Sequence, residues 1–460
     1  MPNTNLFDDF PKVSLKEWKQ KIQVDLNGAD YNESLIWESL EGIKVKPFYH
    51  ADDLEAKVSD TTPKMRDWKI GQSIYVSDAG IANKKALNFL EKGVGSLLFI
   101  IPNETIKLDV LFKNIPLERI PTHLELHFLS LDYITSITGF LKNSLKNIFL
   151  NVDLVGNLAR TGNWFFNRDR DHEILNEIIG LNINQLFSID ISLYQNAGAN
   201  MVQQLAYAMA HAHEYLNHLH NCEKSKNGFE TFTFKVSVGS NYFFEISKLK
   251  AIRLLWKTLS MEYGVSTDCH IIATPSKRNK TLYEYNANMI RTTMECMMAA
   301  LGGADTIYNL PYDALYSKDN EFGSRIALNQ LLLLKEESYF KEINNVSGGS
   351  YYIETITSQL AEKALELFKT IEKGGGFLHQ LKSHNIQKKI KESAQKEQLL
   401  FDAKKLILVG TNKFENPNTR MKNELELYPF VKTKIRKTLL EPIIEKRLAE
   451  GLEQRRLVQE

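Results

Sequence analysis

The sequence predicts an α/β fold: a (β/α)8 TIM barrel with an N-terminal extended arm and a short, mainly helical C-terminal tail. Three observations carry this. Eight short β-rich runs recur, a helical pattern follows each of them, and 460 residues leave room for one such barrel plus extensions. Strands that alternate with helices require parallel crossovers, and eight units are the count that closes a barrel.

In chain order, the expected division is an arm over 1–60, a barrel over 61–376 and a tail over 377–460. Within the arm, Val13–Leu26 has apolar residues at helical spacing, and Trp37, Ile43, Val45, Pro47, Phe48 and Tyr49 make an extended segment. So much apolar surface must pack on its own domain or on a partner.

The strand runs are Ser73–Ser77, Gly95–Ile101, His123–Ser130, Asn147–Leu154, Gln185–Ser192, Thr231–Val238, Asp268–Thr274 and Asp305–Leu310. The longest helical stretches are Ala199–His220, Phe243–Tyr263, Tyr283–Leu301 and Phe322–Glu337, whereas Ile106–Phe112 is weak. In the tail, a helix over Gln359–Glu372 is broken at Gly374–Gly376, and a Lys-rich amphipathic stretch runs over Leu378–Val409. A strand-like piece at Leu406–Val409 and a charged helix over Thr438–Val458 complete it.

Composition narrows the function classes. The 57 basic residues nearly cancel the 56 acidic ones, which argues against smeared attraction to nucleic acid or an anionic membrane. Cys222, Cys269 and Cys296 have no paired spacing and suit inert thiols in a reducing compartment. Met1–Phe10 lacks the basic start and apolar run of a signal peptide, and no stretch has the roughly 18 apolar residues of a membrane span. The expectation is a soluble, cytoplasmic protein.

Barrel enzymes carry their chemistry on the loops after the strands. Those loops hold Asp78, Asp132, Tyr194–Gln195, Gly239–Asn241, Pro275–Lys280 and Pro311–Asp313, a set thin in acid–base groups. Asp268-x-His270 has the start of a cobalt-ligating D-x-H-x-x-G pattern, but Ala273 stands at the glycine position and the stretch is a strand. His211, His213, His218 and His220 share one helix; each seven-residue pair lies about 10 Å apart along the axis, too far to share an ion, and reads as solvated. Gly302–Gly303 and Gly348–Gly349 lack phosphate-loop context and read as turns.

Three phrases are more specific: N-M-I-R-T-T-M-E at Asn288–Glu295, E-F-G-S-R-I-A-L-N-Q-L-L-L-L-K-E-E at Glu321–Glu337, and S-G-G-S-Y-Y-I-E at Ser347–Glu354. They resemble the second half of the barrel in the methylmalonyl-CoA mutase family of adenosylcobalamin-dependent isomerases. The likeness extends from about Lys12 to Phe414, and the arm resembles the N-terminus of the family's small, non-catalytic subunits.

That resemblance implies radical chemistry on a cobalamin held between the barrel and a C-terminal domain of well over a hundred residues. Only some 45 residues follow Phe414, so this chain is expected to bind no cofactor itself; adenosylcobalamin in the complex is expected on the large subunit. The family's barrel-mouth phrase R-Q-Y-A-G-F is replaced around Gly71–Ala79. After the fifth strand the family's I-S-G-Y-H-M-Q-E-A-G-A becomes I-S-L-Y-Q-N-A-G-A at Ile191–Ala199, so Tyr194 matches while Gln195 replaces the thioester-binding histidine. After the seventh, R-T-H-x-Q-T-S-G becomes D-C-H-I-I-A-T-P, so His270 matches and Ile272 replaces the glutamine.

The resemblance therefore implies a small subunit, inactive alone, paired as a heterodimer with a large subunit that isomerises methylmalonyl-CoA to succinyl-CoA in propionate metabolism. Its arm, Lys12–Tyr49, is expected to wrap that partner. The alternative is an acyl-CoA-binding barrel enzyme acting alone or with a separate cobalamin protein, with Tyr194, Gln195, His270 and Arg291 as its degenerate barrel-mouth candidates; the plainer role for Arg291 is a structural ion pair. Bulky alternate residues such as Phe187, Ile189, Phe232, Phe234 and Val236 would, if inward, close the channel that a family barrel uses for the pantetheine arm.

Overall fold

The computed structural model describes residues 10–53, 67–141, 144–222, 231–264, 268–342, 345–432 and 436–460. The expected arm–barrel boundary at 60/61 and the first nine residues lie outside the described residues.

Eight parallel strands form the core: β1 Lys69–Tyr75, β2 Ser96–Ile101, β3 Thr122–Leu126, β4 Ile148–Phe149, β5 Ser188–Asp190, β6 Thr233–Val238, β7 His270–Pro275 and β8 Thr306–Tyr308. The sheet runs β4-β3-β2-β1-β8-β7-β6-β5. Its two ends meet at a parallel bridge between Val152 and Phe187. There Val152 N–H donates to Leu186 O (2.8 Å) and Ser188 N–H donates to Val152 O (3.1 Å). The curl is thus a TIM-like barrel surrounded by helices, with a helical tail. Every expected strand run contributes one strand.

Two short helices, Leu154–Thr161 and Ile191–Asn196, occupy sequence expected to finish or follow strands. Local capping explains both. Asp153 accepts from Gly156 N–H (2.7 Å) and Asp190 from Ser192 N–H (3.1 Å), which turns the chain into a helix directly after each strand. Asp78, one of the mouth candidates, is likewise a cap on helix Ala79–Glu91.

The outward strand residues build the hydrophobic layer. Phe187 stacks on Phe232 at 5.3 Å, and Phe232 and Phe234 pack on Trp256 of helix Tyr242–Glu262 at 4.8 and 5.4 Å. Burying each such ring is worth about 1.5–3 kcal/mol. The expectation that these bulky residues could close the channel is therefore corrected: they face the helices.

Three other expectations change. The helix expected from Tyr283 starts at Ala287, because Leu282 and Tyr283 are buried against the tail. The strand-like piece at Leu406–Val409 makes a single bridge, Val409 to Lys413. Where a helix was expected over Thr438–Val458, the chain becomes helical only over Glu450–Gln459. Upstream of it the chain is an irregular strap whose backbone donors are claimed by the short helices and loop that follow barrel strands: Leu440 N–H by Gly162 O (3.1 Å), Ile443 N–H by Ala159 O (2.8 Å), Lys446 N–H by Asn196 O (3.0 Å) and Leu448 N–H by Arg278 O (3.0 Å). Gly162, at φ 78°, permits this approach, since a Cβ there would lie 2.5 Å from Leu440 O.

The arm divides in two. A hairpin, Trp37–Glu38 with Lys44–Val45, packs on its own barrel through Trp37 on Phe244 (5.7 Å) and an Asn200 Nδ2 bond to Leu40 O (3.2 Å). Helix Leu15–Asp25 buries no residue and leaves Trp18 and Val24 exposed. Among the described residues no helix is long and apolar enough to cross a membrane.

Candidate functional site: the barrel axis and mouth

Strand alternation turns His123 and Glu125 of β3, Phe149 of β4, Asp190 of β5, Lys235 of β6, His270 of β7 and Tyr308 of β8 inward, opposite to the apolar set. Four of them form a ring layer. The His123 ring stacks on Phe149 at 4.3 Å and lies 5.0 Å from His270, and Phe149 lies 4.6 Å from His270. Tyr308 meets His123 edge-on at 6.5 Å, and its hydroxyl is 3.2 Å from Ser96 Oγ. Because β3 and β7 stand on opposite sides of an eight-stranded ring, the His123–His270 contact spans the axis. Gly71 makes room for Tyr308: a Cβ there would lie 2.5 Å from the ring.

Neither nitrogen of His123 has a hydrogen-bond partner among the described residues. Burial, reinforced by neighbouring His270, holds its pKa well below the ordinary histidine value, while nearby Asn151 pulls weakly the other way. The ring is neutral at physiological pH.

Above the rings lies a charge layer. Lys235 Nζ is 2.7 Å from Glu125 and 3.5 Å from Asp190; Arg160 is 2.6 Å from Asp190 and 3.5 Å from Glu445 of the strap. Burial pushes the Glu125 carboxyl up, but Lys235 overrides it and the pKa sits at about 2. Burial likewise opposes ionisation of Asp190, and Lys235 with Arg160 still hold it well below the usual carboxylate range. These charges flank a mouth cavity of about 340 Å³.

The four sequence candidates occupy separate environments. Tyr194 points into the helical layer, where its hydroxyl is 3.0 Å from His211 Nδ1, and His211 Nε2 is 2.8 Å from Asp153. His211 is fully buried, so it is not the solvated residue expected from the helix pattern. Gln195 is a strut: its Nε2 donates to Glu245 (3.3 Å) and its Oε1 accepts from buried Lys248 (3.0 Å). His270 belongs to the ring layer. Arg291 makes hydrogen bonds instead of the expected ion pair, donating to Thr281 Oγ1 (2.9 Å), Asn288 Oδ1 (2.8 Å) and Val409 O (2.8 Å), which pins the tail to its helix.

The sequence reading missed Glu125, Asp190, Lys235, Arg160 and the His123–Phe149 pair. One signal was available: H-L-E-L-H at His123–His127 and T-F-K at Thr233–Lys235 place polar groups at every second strand position. His270 does not fit the role of a cobalt ligand, because its ring is packed against both Phe149 and His123 with Nε2 3.3 Å from Thr306 Oγ1.

These features define a (β/α)8-barrel protein whose axis is filled by its own side chains. Residues 103–453 match the family model described as methylmalonyl-CoA mutase. The chain is 33% identical to the methylmalonyl-CoA mutase small subunit of Porphyromonas gingivalis over 89% of this chain and 71% of that one. It is 26% identical to the small subunit of Propionibacterium freudenreichii subsp. shermanii, over 84% and 66%, and 25% identical to the large subunit of P. gingivalis, over 88% and 64%. The chain thus spans roughly two thirds of the length of these relatives. It belongs to the methylmalonyl-CoA mutase family.

Proposed function

We propose that this chain is the non-catalytic small subunit of a heterodimeric, adenosylcobalamin-dependent methylmalonyl-CoA mutase, with cofactor and isomerisation on the large subunit. The observation that carries this reading is the His123–His270 contact across the axis at 5.0 Å. A pantetheine arm threaded along the axis and rings touching from opposite strands exclude one another. Two further features support it. The strap is bonded across the segments that follow β4, β5 and β7, on the face where a cobalamin domain would dock. Gln195, at the position of the thioester-binding histidine, is committed to Glu245 and Lys248.

The same reading gives the arm a role. Its hairpin serves its own barrel, and helix Leu15–Asp25, with Trp18 and Val24 exposed, is the part free to meet the large subunit. The test is purification with and without the large subunit, measuring isomerase activity and cobalamin content on each. Activity and cobalamin are expected only in the complex, and removal of Lys12–Tyr49 abolishes co-purification. Turnover by this chain alone contradicts the proposal.

A further inference from the structure

The mouth cavity contains a group that neither the ring layer nor the ion pairs use. Asn151, just after β4, lines the cavity and is 7% exposed. Neither its amide oxygen nor its amide nitrogen has a hydrogen-bond partner among the described residues. Its hydrogen-bonding neighbour is the His123 ring, whose pKa it pulls upward, but the two do not meet at the distance and angle of a formed bond. The Asn151 backbone, at φ 46°, is in the left-handed region, which asparagine accommodates better than most residues with a Cβ. A buried amide left without partners and facing a cavity is what a ligand-binding position looks like before its ligand arrives.

The surroundings restrict the ligand. One wall is apolar, formed by Leu126, Leu129, Ile134 and Leu150. The two cations, Lys235 and Arg160, are already engaged by Glu125, Asp190 and Glu445. With Asp153 also on the lining, carboxylates outnumber cations, so an anion entering here meets repulsion, while an ammonium finds Glu125 and Asp190 already paired with Lys235 and Arg160 and Asp153 already bonded to Gly156 N–H, His211 and Tyr215. We propose that this cavity binds a small uncharged molecule with a short apolar body and an amide-like head that donates to and accepts from Asn151. This is a different chemistry from the anionic thioesters handled by the family.

The probe is pentanamide, titrated into the purified full chain by calorimetry or ligand-observed NMR, with pentanoate and pentylammonium as charged counterparts. Pentanamide is expected to bind saturably, with each charged counterpart roughly tenfold weaker or worse. Asn151→Gly suits the left-handed backbone and removes the amide; it should weaken pentanamide binding by roughly tenfold or more while the thermal midpoint is maintained. If that variant fails to fold, Asn151→Asp, nearly isosteric and tolerant of the same backbone, gives the same readout. Absence of saturable pentanamide binding, equal or tighter binding of either charged counterpart, or full binding by the substituted chain overturns the proposal.

Discussion

The two faces of the same strands contrast sharply in chemistry. Along β6 and the residue before it, Phe232, Phe234 and Val236 alternate with Thr233 and Lys235; the first set, through Phe232 and Phe234 on Trp256, faces the helices, and the second faces the axis. Stability is therefore concentrated outside the ring and polar groups inside it. The inward face keeps the residue types from which active sites are made, yet its rings touch one another and its charges are paired. Inward polarity alone does not make a channel; what matters is whether opposite strands leave the axis open.

The largest effect that can sharpen this comparison is on the outward face. Phe234→Ala should lower unfolding free energy by about 3–5 kcal/mol in a denaturant titration. On the inward face, Lys235→Met strips Glu125 of its lysine and leaves Asp190 with Arg160 alone, and should cost roughly 3 kcal/mol near neutral pH. The acid limb checks the cause. Because both carboxyls have depressed pKa values in the folded chain, their contribution is complete above about pH 4–5 and is lost as pH falls toward 2. The Lys235→Met variant should show a flatter acid limb than the parent chain.

Gly71→Ala should cost about 1–3 kcal/mol, since its Cβ would displace the Tyr308 ring. The smallest effect is expected from His123→Phe: it removes two unpartnered nitrogens, keeps a ring beside Phe149, and should be neutral or stabilising by about 1 kcal/mol. A large loss there would mean that His123 is held by interactions outside the packing described.

Much of the fold was legible because strand and helix periods alternate cleanly eight times. The failures have local causes. Asp153 and Asp190 start short helices where apolar runs suggested continuing strand. The strap gave up helix formation because its backbone found partners on Gly162, Ala159, Asn196 and Arg278. The site was harder to read. His123 and His270 are 147 residues apart by position and meet only because β3 and β7 face each other across the barrel. Tyr194, beside Gln195 in sequence, points the other way into the helical layer.

The central claim is that the axis of this barrel is occupied by its own rings and admits no pantetheine arm. Titration of methylmalonyl-CoA into the isolated full chain, followed by calorimetry, tests it most directly. The predicted result is no saturable heat; stoichiometric binding that is abolished by enlarging Gly71 or Ser96 on the axis would contradict it.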